Sequence, residues 1–220
     1  MKKTYDIKQA AKEQIAPYRK TLFYIAVLLF IISIACKYLR ITYHEEPAQF
    51  LWFEYTSKKS INIGLWLLSP VFTLSSSIIY LNLTRGIEPK IKDIFVGFKD
   101  WWCIVKLSAV KGFFIACWTF VFIIPGVIKC FSYALAEYIL AENKGMRACE
   151  AISISRALMT GHKMELFKLE LSLLGFKLLQ ILTFGIASIW VGPYISAVYA
   201  NFYRKVRGSK HKIKSIPIYD

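Results

Sequence analysis

Residues 125–167 read PGVIKCFSYALAEYILAENKGMRACEAISISRALMTGHKMELF, and this stretch decides the fold. Pro125-Gly126 predicts a tight turn, from which an apolar helix returns over Val127–Ala141 carrying only Lys129 and Glu137 as charges. At 1.5 Å per residue it measures roughly 24 Å, marginal for the hydrocarbon core. Over 147–160, helical spacing places Ala148, Ala151, Ile152, Ser155 and Met159 on one face, with Glu150 and Arg156 off it. Gly161-His162-Lys163 then leads into another apolar run. Apolar hairpins joined by a polar interfacial helix are the expected arrangement.

The same pattern extends outward. The chain has 220 residues, of which 56% are hydrophobic and 20% charged, and its apolar residues come in long blocks. Soluble domains of this size carry about a quarter charged residues. The expected fold is therefore all-α: a polytopic membrane protein with six transmembrane helices arranged as three hairpins, plus short cytoplasmic amphipathic helices. Three regions follow. Residues 1–20 form a basic cytoplasmic N-terminal helix, 21–203 the six-span transmembrane domain, and 204–220 a basic cytoplasmic tail. The spans are placed at 21–36, 61–83, 104–124, 127–141, 166–184 and 186–203. Residues 37–60 are read as a loop, and Ser75-Ser76-Ser77 as hydroxyls that bond neighbouring helices or spare carbonyls.

Basic residues orient this layout. Of the 29 Lys and Arg, 21 fall on the proposed cytoplasmic side and 5 outside, while Lys111, Lys168 and Lys177 lie within spans. So strong a positive-inside bias puts both termini in the cytoplasm. It also accounts for the net charge of +15 without nucleic acid, because the charges sit between apolar blocks. A weak internal repeat at a shift of 64 aligns Gly97 and Lys99 with Gly161 and Lys163, Leu107-Ser108 with Leu171-Ser172, and Thr119-Phe120 with Thr183-Phe184. It predicts two hairpins, 97–141 and 161–203, related in parallel.

The chain resembles the DUF975 family of bacterial integral membrane proteins, whose function is unknown. The residues that carry the likeness are Asn82 with Arg85-Gly86 and Pro89, Phe95 with Gly97-Phe98-Lys99, and Pro125-Gly126 with Lys129 and Tyr133. Glu150-Ala151, Ser155-Arg156, Met159, Gly161-His162-Lys163 and Leu166-Phe167 continue it, followed by Ser172, Gly175, Pro193-Tyr194 and Ala200-Asn201-Phe202-Tyr203. The resemblance implies a multi-span helical fold in the bacterial plasma membrane and carries over no catalytic residue.

The sequence has no nucleophile elbow, phosphate loop or HExxH, and its five cysteines show no metal-ligand spacing. No catalytic, cofactor or metal site is expected, and no enzyme activity. Charges inside spans are the better lead, since each costs a few kcal/mol unless paired or hydrated. The candidate polar or ligand-contacting residues are Arg85, Lys111, Lys129, Glu137, Glu150, Arg156, His162, Lys163, Glu170 and Lys177. Glu170 and Lys177 share a helical face but lie about 10.5 Å apart along the axis, so Lys111 or a cytoplasmic basic residue is the expected partner of Glu170. Arg85, Arg156 and Lys163 are placed to gather an anionic lipid headgroup or a partner's acidic loop at the cytoplasmic face. The expected role is a non-enzymatic accessory or scaffold protein that binds lipids or a partner membrane protein. The competing class is a small-solute transporter or permeation subunit using Lys111, Glu137, Glu170 and Lys177.

Overall fold

The structure, a computed structural model, describes residues 2–38, 41–44, 48–50, 53–55, 58–61, 68–143 and 145–211. Helices dominate it. Helix α1 (Lys2–Ile15), a 3-10 turn (Ala16–Tyr18) and α2 (Arg19–Tyr38) run on from one another, because Ile15 and Arg19 both keep helical backbone angles around Pro17. After the 41–61 region come α3 (Ser69–Thr84), a 3-10 helix (Ile91–Asp100) and α4 (Trp101–Val121). Then follow α5 (Ile123–Ser132), α6 (Ala136–Glu142), α7 (Ala148–Met159), α8 (Lys163–Leu182) and α9 (Ser188–His211).

The stretch read as a loop contains strands. β1 (Ile41–His44) pairs antiparallel with β4 (Lys58–Ile61), placing Ile41 opposite Ile61 and His44 opposite Lys58. Within that pair, β2 (Ala48–Phe50) pairs with β3 (Phe53–Tyr55). Charge counting hid this ribbon, although its β-branched and aromatic residues favour strands.

The Pro125-Gly126 turn is also displaced. The chain reverses at Phe122, the one extended residue between α4 and α5 (φ −155°, ψ 136°). Pro125 lies in the first turn of α5, where its missing N–H removes no intrahelical bond. Gly126 is there for proximity. A Cβ at this position would stand 2.8 Å from the Thr119 Cα and 2.2 Å from its Oγ1, so α4 and α5 close on each other only over a glycine. The returning segment is not one helix. It breaks over Tyr133–Leu135 into α5 and α6, of 10 and 7 residues, each too short to span alone. The buried Ser155 hydroxyl of α7 donates to the Ser132 carbonyl at this break (2.8 Å).

Helix α7 is therefore no peripheral linker. It packs against α4, α5, α6 and α9, and the face drawn from spacing is the buried one: Ala148, Ala151, Ile152, Ser155 and Met159, joined by Leu158. The core lies around α3, α6, α7 and the second half of α9, with Leu74, Ile79, Leu107, Ile139, Met159, Phe202 and Tyr203 almost fully enclosed. Ser75 anchors the 3-10 helix to α3. Its hydroxyl donates to Val71 O (3.1 Å) and accepts from Gly97 N (3.0 Å), and a Cβ on Gly97 would collide with both Ser75 Oγ and Val71 O at 2.5 Å.

Two stretches, Thr4–Ile34 and Ile91–Phe120, are long and apolar enough to cross a membrane by length and composition. The N-terminal helix packs lengthwise on α9 and not apart from the bundle. Ile7 and Ala11 are buried, and Gln14 and Asn201 exchange side-chain hydrogen bonds of 3.2 and 2.8 Å. Farther along, the Phe23 ring lies 5.8 Å from Trp190, and Phe30 lies beside Gly185. The first apolar helix is thus antiparallel to the last and is offset along it by roughly 15 Å relative to a layout that levels Thr21 with Tyr203.

Helices α4 and α8, and the starts of α5 and α9, lie about one repeat apart, but the first return is broken into α5 and α6 whereas the second is the single helix α9. Equivalent residues nonetheless do different jobs. Gly97 is a close-packing position, whereas Gly161 ends α7 at φ +86°.

Candidate functional site

The charges named from sequence are sorted by the helices into pairs. Lys111 on α4 reaches Glu137 on α6, Nζ to Oε1 at 3.0 Å, with each side chain about a fifth exposed (21% and 21%). Lys111 is therefore not the partner of Glu170. That carboxylate is held within its own helix by Lys177 and by the Tyr199 hydroxyl of α9, which donates to Glu170 Oε1. Lys177 also donates to the Tyr199 oxygen at 3.2 Å. The axial gap that ruled out this pair is bridged by side-chain direction. Helical side chains tilt toward the N-terminus, so the long lysine stem leans back toward Glu170. Lys129 stacks its ammonium 4.7 Å from the centre of the Trp118 ring, a cation–π contact between α5 and α4.

At the opposite helix ends the charges form a network. Glu142 Oε1 bonds Arg85, while Oε2 accepts from the Tyr203 hydroxyl (2.6 Å) and pairs with Arg207, so one carboxylate ties α3, α6 and α9. Arg204 donates to the Thr84 carbonyl beside it, at the end of α3. A second knot joins α8 and α9: Glu165 pairs with Lys205 and with His162 Nδ1 at 3.2 Å. Burial pushes the Glu165 carboxyl up, but the Lys205 and His162 bonds and charges prevail and hold it below its ordinary range.

Arg85 is paired with Glu142. Glu150 and Arg156 are exposed on α7. Sequence reasoning missed Glu142, Glu165, Tyr199, Tyr203, Lys205 and Arg207. Tyr199 and Tyr203 stand one turn apart on the inward face of α9, a signal that spacing alone carries. The carboxylates Glu137, Glu142, Glu165 and Glu170 each meet at least one cation, which makes helix ties of them. Among the described residues no group of three or more His, Cys, Asp or Glu could hold a metal ion.

Comparison with known proteins adds one finding. Residues 122–210 match the family model DUF975, described as a protein of unknown function, which supports the family likeness read from the sequence over this segment. The segment runs from α5 to the end of α9 and contains the α5–α6 break, the Glu165 knot and the Glu170–Lys177–Tyr199 cluster. No curated protein and no solved structure matches the chain.

Proposed function

We propose, with that match as premise, that the chain is a multi-pass protein of the bacterial plasma membrane with both termini cytoplasmic. It does no chemistry and serves as an accessory or scaffold that binds lipids or a partner membrane protein. One observation carries this reading: the most exposed apolar side chains lie at the helix ends opposite the Glu142 and Glu165 networks. Around the α4–α5 and α8–α9 turns, Phe120 and Phe184 are 94% and 95% exposed, and Phe122, Ile181 and Leu182 are exposed beside them. No charge falls in 112–128 or 178–203. The Glu142 and Glu165 networks occupy the other end. A patch of this kind on a soluble monomer would be a liability, whereas a bilayer covers the helix flanks with hydrocarbon and leaves only the turns at its far interface.

Lys111, Glu137, Glu170 and Lys177 are the charges a transporter would use. Their mutual neutralisation favours the accessory reading, because an ion pathway needs charges that can exchange partners for solute. Purification in native lipid particles, followed by identification of bound lipid and protein, tests it. Stoichiometric co-purification of a lipid class or membrane protein is expected. Recovery of the chain in an alkaline-carbonate supernatant would overturn membrane insertion. Solute flux in proteoliposomes that Glu170→Gln abolishes would overturn the accessory role in favour of transport.

A further inference from the structure

Between α1 and α8 lies a groove of about 540 Å3, lined by Thr4, Tyr5, Lys8, Lys168, Leu171 and Ser172. Its chemistry is divided along its length. At one end Lys8 crosses from α1 to donate to the Ser172 carbonyl at 3.0 Å. Lys168 stands one turn before Ser172 on the same helix and lines the same groove. Among the described residues neither lysine has a carboxylate partner, in contrast to Lys111, Lys177 and Lys205. Lys8 keeps two donors beyond its carbonyl bond. From this end an exposed apolar stripe runs toward the α8–α9 turn through Leu171, Leu174 and Leu178, exposed by 60%, 46% and 56%. Their spacing of three and four residues places them on one face of α8.

We propose that this groove is a binding site for an anionic phospholipid, its phosphate held between Lys8 and Lys168 and an acyl chain laid along Leu171, Leu174 and Leu178. The inference rests on the membrane reading above and names the lipid class and the site. Two uncompensated cations at one end of an apolar track match a molecule with one anionic end and a long hydrocarbon. A soluble phosphate would leave the leucines uncovered, and a zwitterionic lipid would bring its own cation to the lysines.

The test uses the full chain in phosphatidylcholine bilayers with spin-labelled phosphatidylglycerol, whose immobilised fraction reports preference over the spin-labelled choline lipid. A preference falling by about fivefold per lysine is expected for Lys168→Gln and again for Lys8→Gln. Lys8→Arg should keep it, and the exposed Lys90→Gln and Lys92→Gln should leave it unchanged. Lys168 is exposed, so its replacement does not compromise folding. Undiminished preference in the double Lys8→Gln, Lys168→Gln variant would overturn the site while the chain stays inserted. Equal displacement by water-soluble glycerol phosphate would overturn the lipid in favour of a free phosphate. Release of the chain from choline bilayers by carbonate would overturn the membrane reading itself, and the site with it, a result separable from the other two.

Discussion

A carboxylate one helix away from an expected partner changes which mutants should interact. Lys111 pairs with Glu137, while Glu170 is engaged by Lys177 and Tyr199. Glu137→Gln should therefore destabilise the protein, and Lys111→Met added to it should recover part of the loss, since an orphaned charge costs more than an absent pair. Coupling of about 1 kcal/mol is expected in thermal denaturation of the purified protein. Glu170→Gln combined with Lys111→Met should be additive, because they share no partner. Coupling in the second cycle and none in the first would reverse the assignment. Glu165 sets a pH dependence. Its folded carboxyl titrates below the ordinary 4.5, so its contribution is complete at neutral pH and is lost as pH falls through 4.5 toward the folded value. Lys205→Met should flatten that acid limb of the stability curve, measured by melting temperature against pH. The sequence showed which residues carry charge at depth, but the pairings depend on helix rotation and side-chain lean, which no spacing rule contains.

Elements were legible in proportion to the length of their pattern. The buried face of α7 followed from five positions at helical spacing, and all five are buried. Ser75 also bonds as expected of its hydroxyl, to both its own helix and a neighbouring segment. The Pro125-Gly126 signal was read as the turn because both residues favour turns. A proline in the first turn of a helix is equally comfortable, and the reversal sits three residues earlier at Phe122. The break at Tyr133–Leu135 has no Pro or Gly to announce it, and Ser155 on another helix supports it. Gly126→Ala tests the close approach of α4 and α5. Its Cβ meets backbone at 2.8 Å, so one helix must move, at a cost of about 1–3 kcal/mol. Gly112→Ala in α4 meets nothing within 4 Å and should be neutral or stabilising by up to about 1 kcal/mol. Equal melting temperatures for the two variants would remove the packing role of Gly126.

Across the whole molecule, composition gave the helical class. The lengthwise offset of the helices came only from contacts such as Phe23 with Trp190, because hydropathy gives a span its length without its level. The central claim is that the α8–α9 turn and the end of α9 face opposite sides of a bilayer. Impermeant maleimide labelling of Cys-free protein in right-side-out bacterial spheroplasts tests it at two positions, Ile186→Cys, 54% exposed beside the turn, and Ser209→Cys, exposed near the end of α9. Cysteine at 186 should react directly, and cysteine at 209 only after the membrane is permeabilised. Direct labelling at both positions, or protection of 186 with labelling of 209, would contradict the account.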